Sequence, residues 1–107
     1  MLKAVSRFFG VPESRIHRVT HVPATTASRL VKNRVKMDSA ATERIFRLGA
    51  VTRRAIEVFE DKEAAIEWMC TENRTLANAA PLDLMDTEPG AASVREILNA
   101  IEVGGVA

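Results

Sequence analysis

The sequence predicts an all-α fold. Apolar residues recur at i, i+3, i+4 and i+7 through nearly all of its 107 residues, and no stretch alternates like a half-buried strand. Helix punctuation agrees, with Gly10, Pro12, Pro23, Asp38, Asp61 and Thr87 standing where helices stop or start. The 47% apolar content suffices for a helical core, in one domain or two very small ones sharing it.

A first helix is expected over residues 2–9, with Leu2, Val5, Phe8 and Phe9 as its stripe and Gly10 as its stop. A second starts near Pro12, whose fixed φ suits a first turn, and turns Ile16 and Val19 inward with Arg15 and Arg18 outward. A break at His21-Val22-Pro23 precedes a third helix over 24–32, buried through Ala27, Leu30 and Val31. The longest helix runs over 39–59, with Asp38 as candidate cap and Ile45, Leu48, Gly49, Thr52, Ala55, Ile56 and Phe59 on one stripe. Asp61 caps a short helix over 62–70, turning Ala65, Ile66 and Met69 or Trp68 inward. Residues 71–89 read as irregular, with one turn at 81–85. Thr87 opens the last helix, whose apolar stripe is Val94, Ile97, Leu98 and Ile101, before a flexible tail, Gly104-Gly105-Val106-Ala107.

Charge divides the chain. Residues 1–54 hold twelve Lys and Arg against three acids, and residues 55–107 hold three against eleven. The net +1 therefore hides a basic half suited to a polyanion such as DNA and an acidic half suited to another partner. The halves meet inside the long helix, so the two ends are expected to be rigidly coupled.

Within the basic half, the helices over 13–20 and 24–32 form a helix-turn-helix pattern, with Val22 seating the turn. His21 stands where the turn glycine is usual, and histidine enters positive φ at a cost. Thr25, Thr26, Ser28 and Arg29 fall at the exposed start of the second helix, where hydroxyls meet phosphates and an arginine can read guanine. Lys32, Arg34 and Lys36 would follow the DNA backbone. A solvated basic face on a three-helix bundle is the other reading of these residues.

Other chemistry has little support. His17 and His21 lie one helical turn apart with no third ligand near in sequence. Glu57, Glu60, Asp61, Glu63 and Glu67 have no nucleophile or Gly-rich phosphate loop beside them, and read as capping and solvation. Cys70, the only cysteine, leaves no partner for an internal disulfide and reads as a small buried hydrophobe. Trp68 reads as core. No apolar run approaches the ~20 residues of a membrane span, and Lys3, Arg7 and Gly10 interrupt any signal-peptide pattern, so the expected location is cytoplasmic.

Ala64-Ala65-Ile66-Glu67-Trp68-Met69, Glu72-Asn73-Arg74-Thr75-Leu76, Pro81-Leu82-Asp83-Leu84-Met85-Asp86-Thr87-Glu88-Pro89-Gly90, then Val94 and Ile97-Leu98, follow one another in a recognisable order. The composite resembles the toxin-binding domain of the Xre/MbcA/ParS antitoxins. Upstream, Thr26-Ala27-Ser28-Arg29 and Arg44, Arg47, Leu48 resemble the family's Xre-type DNA-binding unit and the Arg-rich helix start after it. Ala77-Asn78-Ala79-Ala80 stands where the family usually has a glycine pair, and Glu72 where proline is common.

The resemblance implies an N-terminal Xre-like helix-turn-helix bundle (1–38), fused through a long helix to a small helical toxin-binding and dimerisation domain (39–107). It implies an antitoxin rather than an enzyme, with no cofactor of its own. Its partners would be operator DNA, a second copy, and a RES-domain toxin that consumes NAD+ and is blocked at its active-site entrance. A transcriptional regulator without a toxin partner is the alternative.

The residues of the 81–90 segment suggest architecture first. Asp83 and Thr87 are placed to cap helix starts, Pro81 and Pro89 preset φ, and Gly90 permits close backbone approach. The last helix and tail are the first choice for toxin contact, through Arg95, Asn99, Glu102, Val103, Gly104 and Gly105. A frayed terminus is the plainer reading of the tail.

Overall fold

The computed structural model describes residues 2–22 and 39–104. These form α1 (Leu2–Phe9), α2 (Glu13–Thr20), α3 (Ser39–Phe59), α4 (Lys62–Cys70) and α5 (Glu88–Gly104). Two 3-10 turns, Arg74–Leu76 and Pro81–Leu84, fill the connection between α4 and α5. The fold is all-α. The only β feature among the described residues is one bridge between Asn73 and Ala79. The expected helix over 24–32, the Asp38 cap and all six expected DNA contacts (Thr25, Thr26, Ser28, Arg29, Lys32, Arg34) lie outside the described residues.

The helix ends follow local chemistry. Gly10 takes φ +67° after α1, and Ser6 Oγ donates to the Val11 carbonyl across that turn. Pro12 sits at the N-cap of α2 with φ −63°, one position before the expected first turn. His21 ends α2 at φ 62°, ψ 28°, the left-handed conformation that its position in the turn demanded. Asp61 caps α4 by accepting from the Ala64 N–H at 3.2 Å. Thr87 Oγ1 accepts from the Gly90 N–H at 3.2 Å and so caps α5.

One core joins the elements. Ile16, Ala55, Ala65, Met69, Leu82, Met85, Ala91, Val94 and Leu98 are fully shut off from solvent. α3 packs on α4 and α5, α1 packs on α2, and the Pro81–Leu84 turn touches α2, α4 and α5. Thr20 is buried but satisfied: its hydroxyl donates to the Ile16 carbonyl and accepts from the Val22 N–H. Trp68 is half-buried and packs on Phe59, with ring centroids 5.7 Å apart.

The stripe on α3 is broader than its spacing suggested. Ala41 and Val51 are also buried, whereas Ile45 and Ile56 are only half-covered and Gly49 is exposed. These three line an open apolar groove of about 540 Å³ with Val5 and Phe8 of α1, rimmed by Arg53 and Glu57. Lys62 Nζ lies 5.4 Å from the centre of the Phe8 ring at one edge of α1.

Candidate functional site

The C-terminal module is positioned by arginines reaching out of the basic half. Arg15 of α2 makes a two-pronged bond to Asp83, Nε to Oδ1 at 2.9 Å and Nη2 to Oδ2 at 3.0 Å. Its Nη2 also donates to the Cys70 carbonyl at 3.4 Å. This corrects two expectations. Arg15 is half-buried rather than turned out to solvent, and Asp83 anchors α2 rather than capping a helix. The Asp83 hydrogen bond raises the pKa of Arg15 and so favours its charged form further.

Arg47 and Arg54 of α3 hold α5. Arg47 Nε donates to Glu88 at 3.1 Å and its Nη1 donates to the Met85 carbonyl at 3.2 Å. Arg95 shares the same carboxylate at 2.8 Å. Arg54 grips both oxygens of Glu102, at 2.9 and 2.6 Å, and donates to Asn99 Oδ1 at 3.0 Å. The arginines hold both carboxyls below the usual range: Arg95 chiefly and then Arg47 for Glu88, and Arg54 for Glu102.

The 71–90 connection is built by its own backbone. Asn73 accepts from the Thr75 N–H through its side chain and from the Leu76 and Asn78 N–H groups through its carbonyl. That closure forces Ala77 to φ 55° and Asn78 to φ 67°. Sequence reasoning placed this segment in a loop without finding the strain. The signal was the alanine and asparagine occupying a position where glycine is usual. Gly90 fits its expected role, since a Cβ there would lie 2.3 Å from the Leu84 carbonyl oxygen.

Five of the six expected toxin contacts can be located. Arg95, Asn99 and Glu102 are engaged with Glu88 and Arg54 on the flank of α5 that faces α3. Val103 and Gly104 are exposed, Val103 at 88%. Both lie within α5, so the helix runs into the segment expected to be tail. Gly105 is outside the described residues.

Other candidates are accounted for structurally. Cys70 is half-covered, its Sγ lies 3.8 Å from the Phe9 carbonyl oxygen, and burial pushes its thiol pKa up, away from the reactive thiolate. No group of three His, Cys, Asp or Glu able to hold a metal occurs among the described residues. No helix among them is long and apolar enough to cross a membrane.

The site is thus a helical surface: one long helix, α5, tied to α3 by the two-pronged Arg54–Glu102 bond and by Arg47, with an exposed apolar end. Residues 54–104 match the family described as the Antitoxin Xre/MbcA/ParS C-terminal toxin-binding domain. The chain is 29% identical over 105 residues to a protein named Antitoxin Xre from Yersinia enterocolitica, covering 97% of this chain and 71% of that relative. It is 31% identical over 90 residues to an Antitoxin Xre from Photorhabdus laumondii, covering 83% of this chain and 61% of the relative. The match to this toxin-binding domain thus covers the C-terminal stretch 54–104, and the likeness to the two proteins named Antitoxin Xre extends over most of the chain.

Proposed function

We propose that this antitoxin neutralises a RES-domain toxin that degrades NAD+, by covering the entrance to its active site. The observation that carries the reading is the toxin-binding domain at 54–104, whose last helix is braced to α3 and ends in exposed Val103. Inhibition of this kind needs no chemistry from the antitoxin and no cofactor. It needs buried area, on the order of 1,600 Å² for a stable complex. Val103, Gly104 and Gly105 make the occluding contact. Arg95, Asn99 and Glu102 border it and keep α5 at a fixed angle to α3.

In the same reading the N-terminal region binds operator DNA through Thr25, Thr26, Ser28, Arg29, Lys32 and Arg34, and the protein represses its own operon from the cytoplasm. α1 and α2 would be the scaffold for that contact. A homodimer is supported by the groove between α1 and α3. Phe46, 79% exposed, projects beside the open surface at Gly49, giving a knob and a hole on one helix.

The test separates the two activities. Removing residues 103–107 should abolish toxin neutralisation and leave operator binding intact, and Arg29→Ala should do the reverse. Equal loss of both activities in either variant overturns the division of labour. A regulator without a toxin partner would show operator binding alone.

A further inference from the structure

The flank of α5 that turns away from Arg54 is unclaimed by any contact described above, and it opens onto a groove. Leu76, Leu84 and Ile97 floor the groove, Thr75, Ser93 and Glu96 edge it, and its volume is about 460 Å³. It is roomy enough for a large apolar side chain. Residues 93, 97, 100 and 104 fall on this side of the helix at i, i+4, i+7 and i+11, so the helix face that borders the groove at Ser93 and Ile97 runs on past it to exposed Gly104, next to Val103. Every residue lining it lies within the 54–104 domain.

Charge narrows the occupant. Glu96 is exposed and makes no ion pair among the described residues, unlike Glu88 and Glu102 on the opposite flank. The surrounding half of the chain carries eleven acids against three bases. A carboxylate beside an apolar depression suits an apolar side chain with a Lys or Arg next to it.

We infer that this groove is the toxin's anchoring site: it receives an apolar side chain of the toxin flanked by a basic residue, while the end of α5 lies over the toxin's entrance. The inference rests on the toxin-binding reading of this domain and adds where the binding affinity resides. Anchoring and occlusion then fall on one continuous face of α5, and the Arg54 and Arg47 bonds keep that face outward.

The experiment measures affinity for the toxin encoded by the neighbouring reading frame, by calorimetry with the full-length chain. Ser93→Trp fills the groove from an exposed position, and Glu96→Lys reverses the charge at its edge. Each should weaken the complex at least tenfold, and the Glu96→Lys effect should shrink as salt rises. The distant charge reversal Glu63→Lys should bind within about twofold of the parent. Circular dichroism checks that each variant keeps its helix content; if Ser93→Trp does not, Glu96→Lys decides. Parent-like affinity in Ser93→Trp and Glu96→Lys, with the parent still bound to toxin, overturns the groove and leaves the antitoxin reading standing. A parent chain that forms no complex removes both.

Discussion

Three backbone positions carry more consequence than their side chains suggest. His21 and Ala77 both sit in the left-handed region, where a Cβ costs about 1–2 kcal/mol. Ala77 has no side-chain group to offset that cost, and its Cβ is exposed. Ala77→Gly should therefore raise stability, by about 1 kcal/mol once glycine's larger unfolded-state entropy is subtracted. A urea melt checks this, with the midpoint moving up at unchanged slope. Gly90 is the converse. Its missing side chain lets α5 begin against the Leu84 carbonyl, so Gly90→Ala should cost about 2 kcal/mol through forced displacement. A thermal melt of that variant matching the parent would show that the Pro81–Leu84 turn yields easily.

At the scale of elements, the helices were legible and their attachments were not. Apolar spacing and caps place α1, α2, α3 and α4 on their observed spans, because periodicity is a local property. Arg15–Asp83, Arg47–Glu88 and Arg54–Glu102 join residues 68, 41 and 48 positions apart. No local pattern distinguishes an arginine that folds back on a carboxylate from one that meets solvent or phosphate. For the same reason the sequence gives no sign that Arg95, Asn99 and Glu102, expected as toxin contacts, also make bonds within the fold. The breadth of the α3 stripe was a related difficulty. Ile45, Gly49 and Ile56 share a periodicity with Leu48 and Ala55, but the sequence does not say which part of a wide apolar face its own fold covers. The attachment of α2 gives a direct prediction. Arg15→Ala should lower stability by about 1 kcal/mol, losing the bidentate pair and the packing of its stem. Hydrogen exchange should quicken in α2 before α3, and uniform change would mean that α2 has no separate anchor.

Across the whole molecule, the charge division has two uses. Part of it is internal: three arginines of the basic half close on three carboxylates of the acidic half, stitching the ends together. Among the described residues, Arg7, Arg18 and Arg53 of the basic half and Glu63, Glu67 and Glu96 of the acidic half are exposed and outside any ion pair. The internal part sets a pH dependence. Glu88 and Glu102 have lowered pKa values in the folded chain, so the unfolded chain binds more protons near the ordinary glutamate value of about 4.3. Their contribution is complete above that value and disappears as pH falls through the lower, folded values. Acidification from neutral toward pH ~3 should loosen α5 from α3. Glu102→Gln should lessen this acid sensitivity, and an unaltered acid-unfolding profile in that variant would show that the Arg54 tie contributes nothing.

The central claim is that this antitoxin acts by covering an entrance and by doing no chemistry itself. Its most direct test follows NAD+ consumption by the purified neighbouring-frame toxin as the antitoxin is titrated in. The account predicts that NAD+ loss falls to the uncatalysed rate at saturating antitoxin and returns when residues 103–107 are removed. Full NAD+ turnover by a toxin shown to be saturated with the intact antitoxin would contradict it.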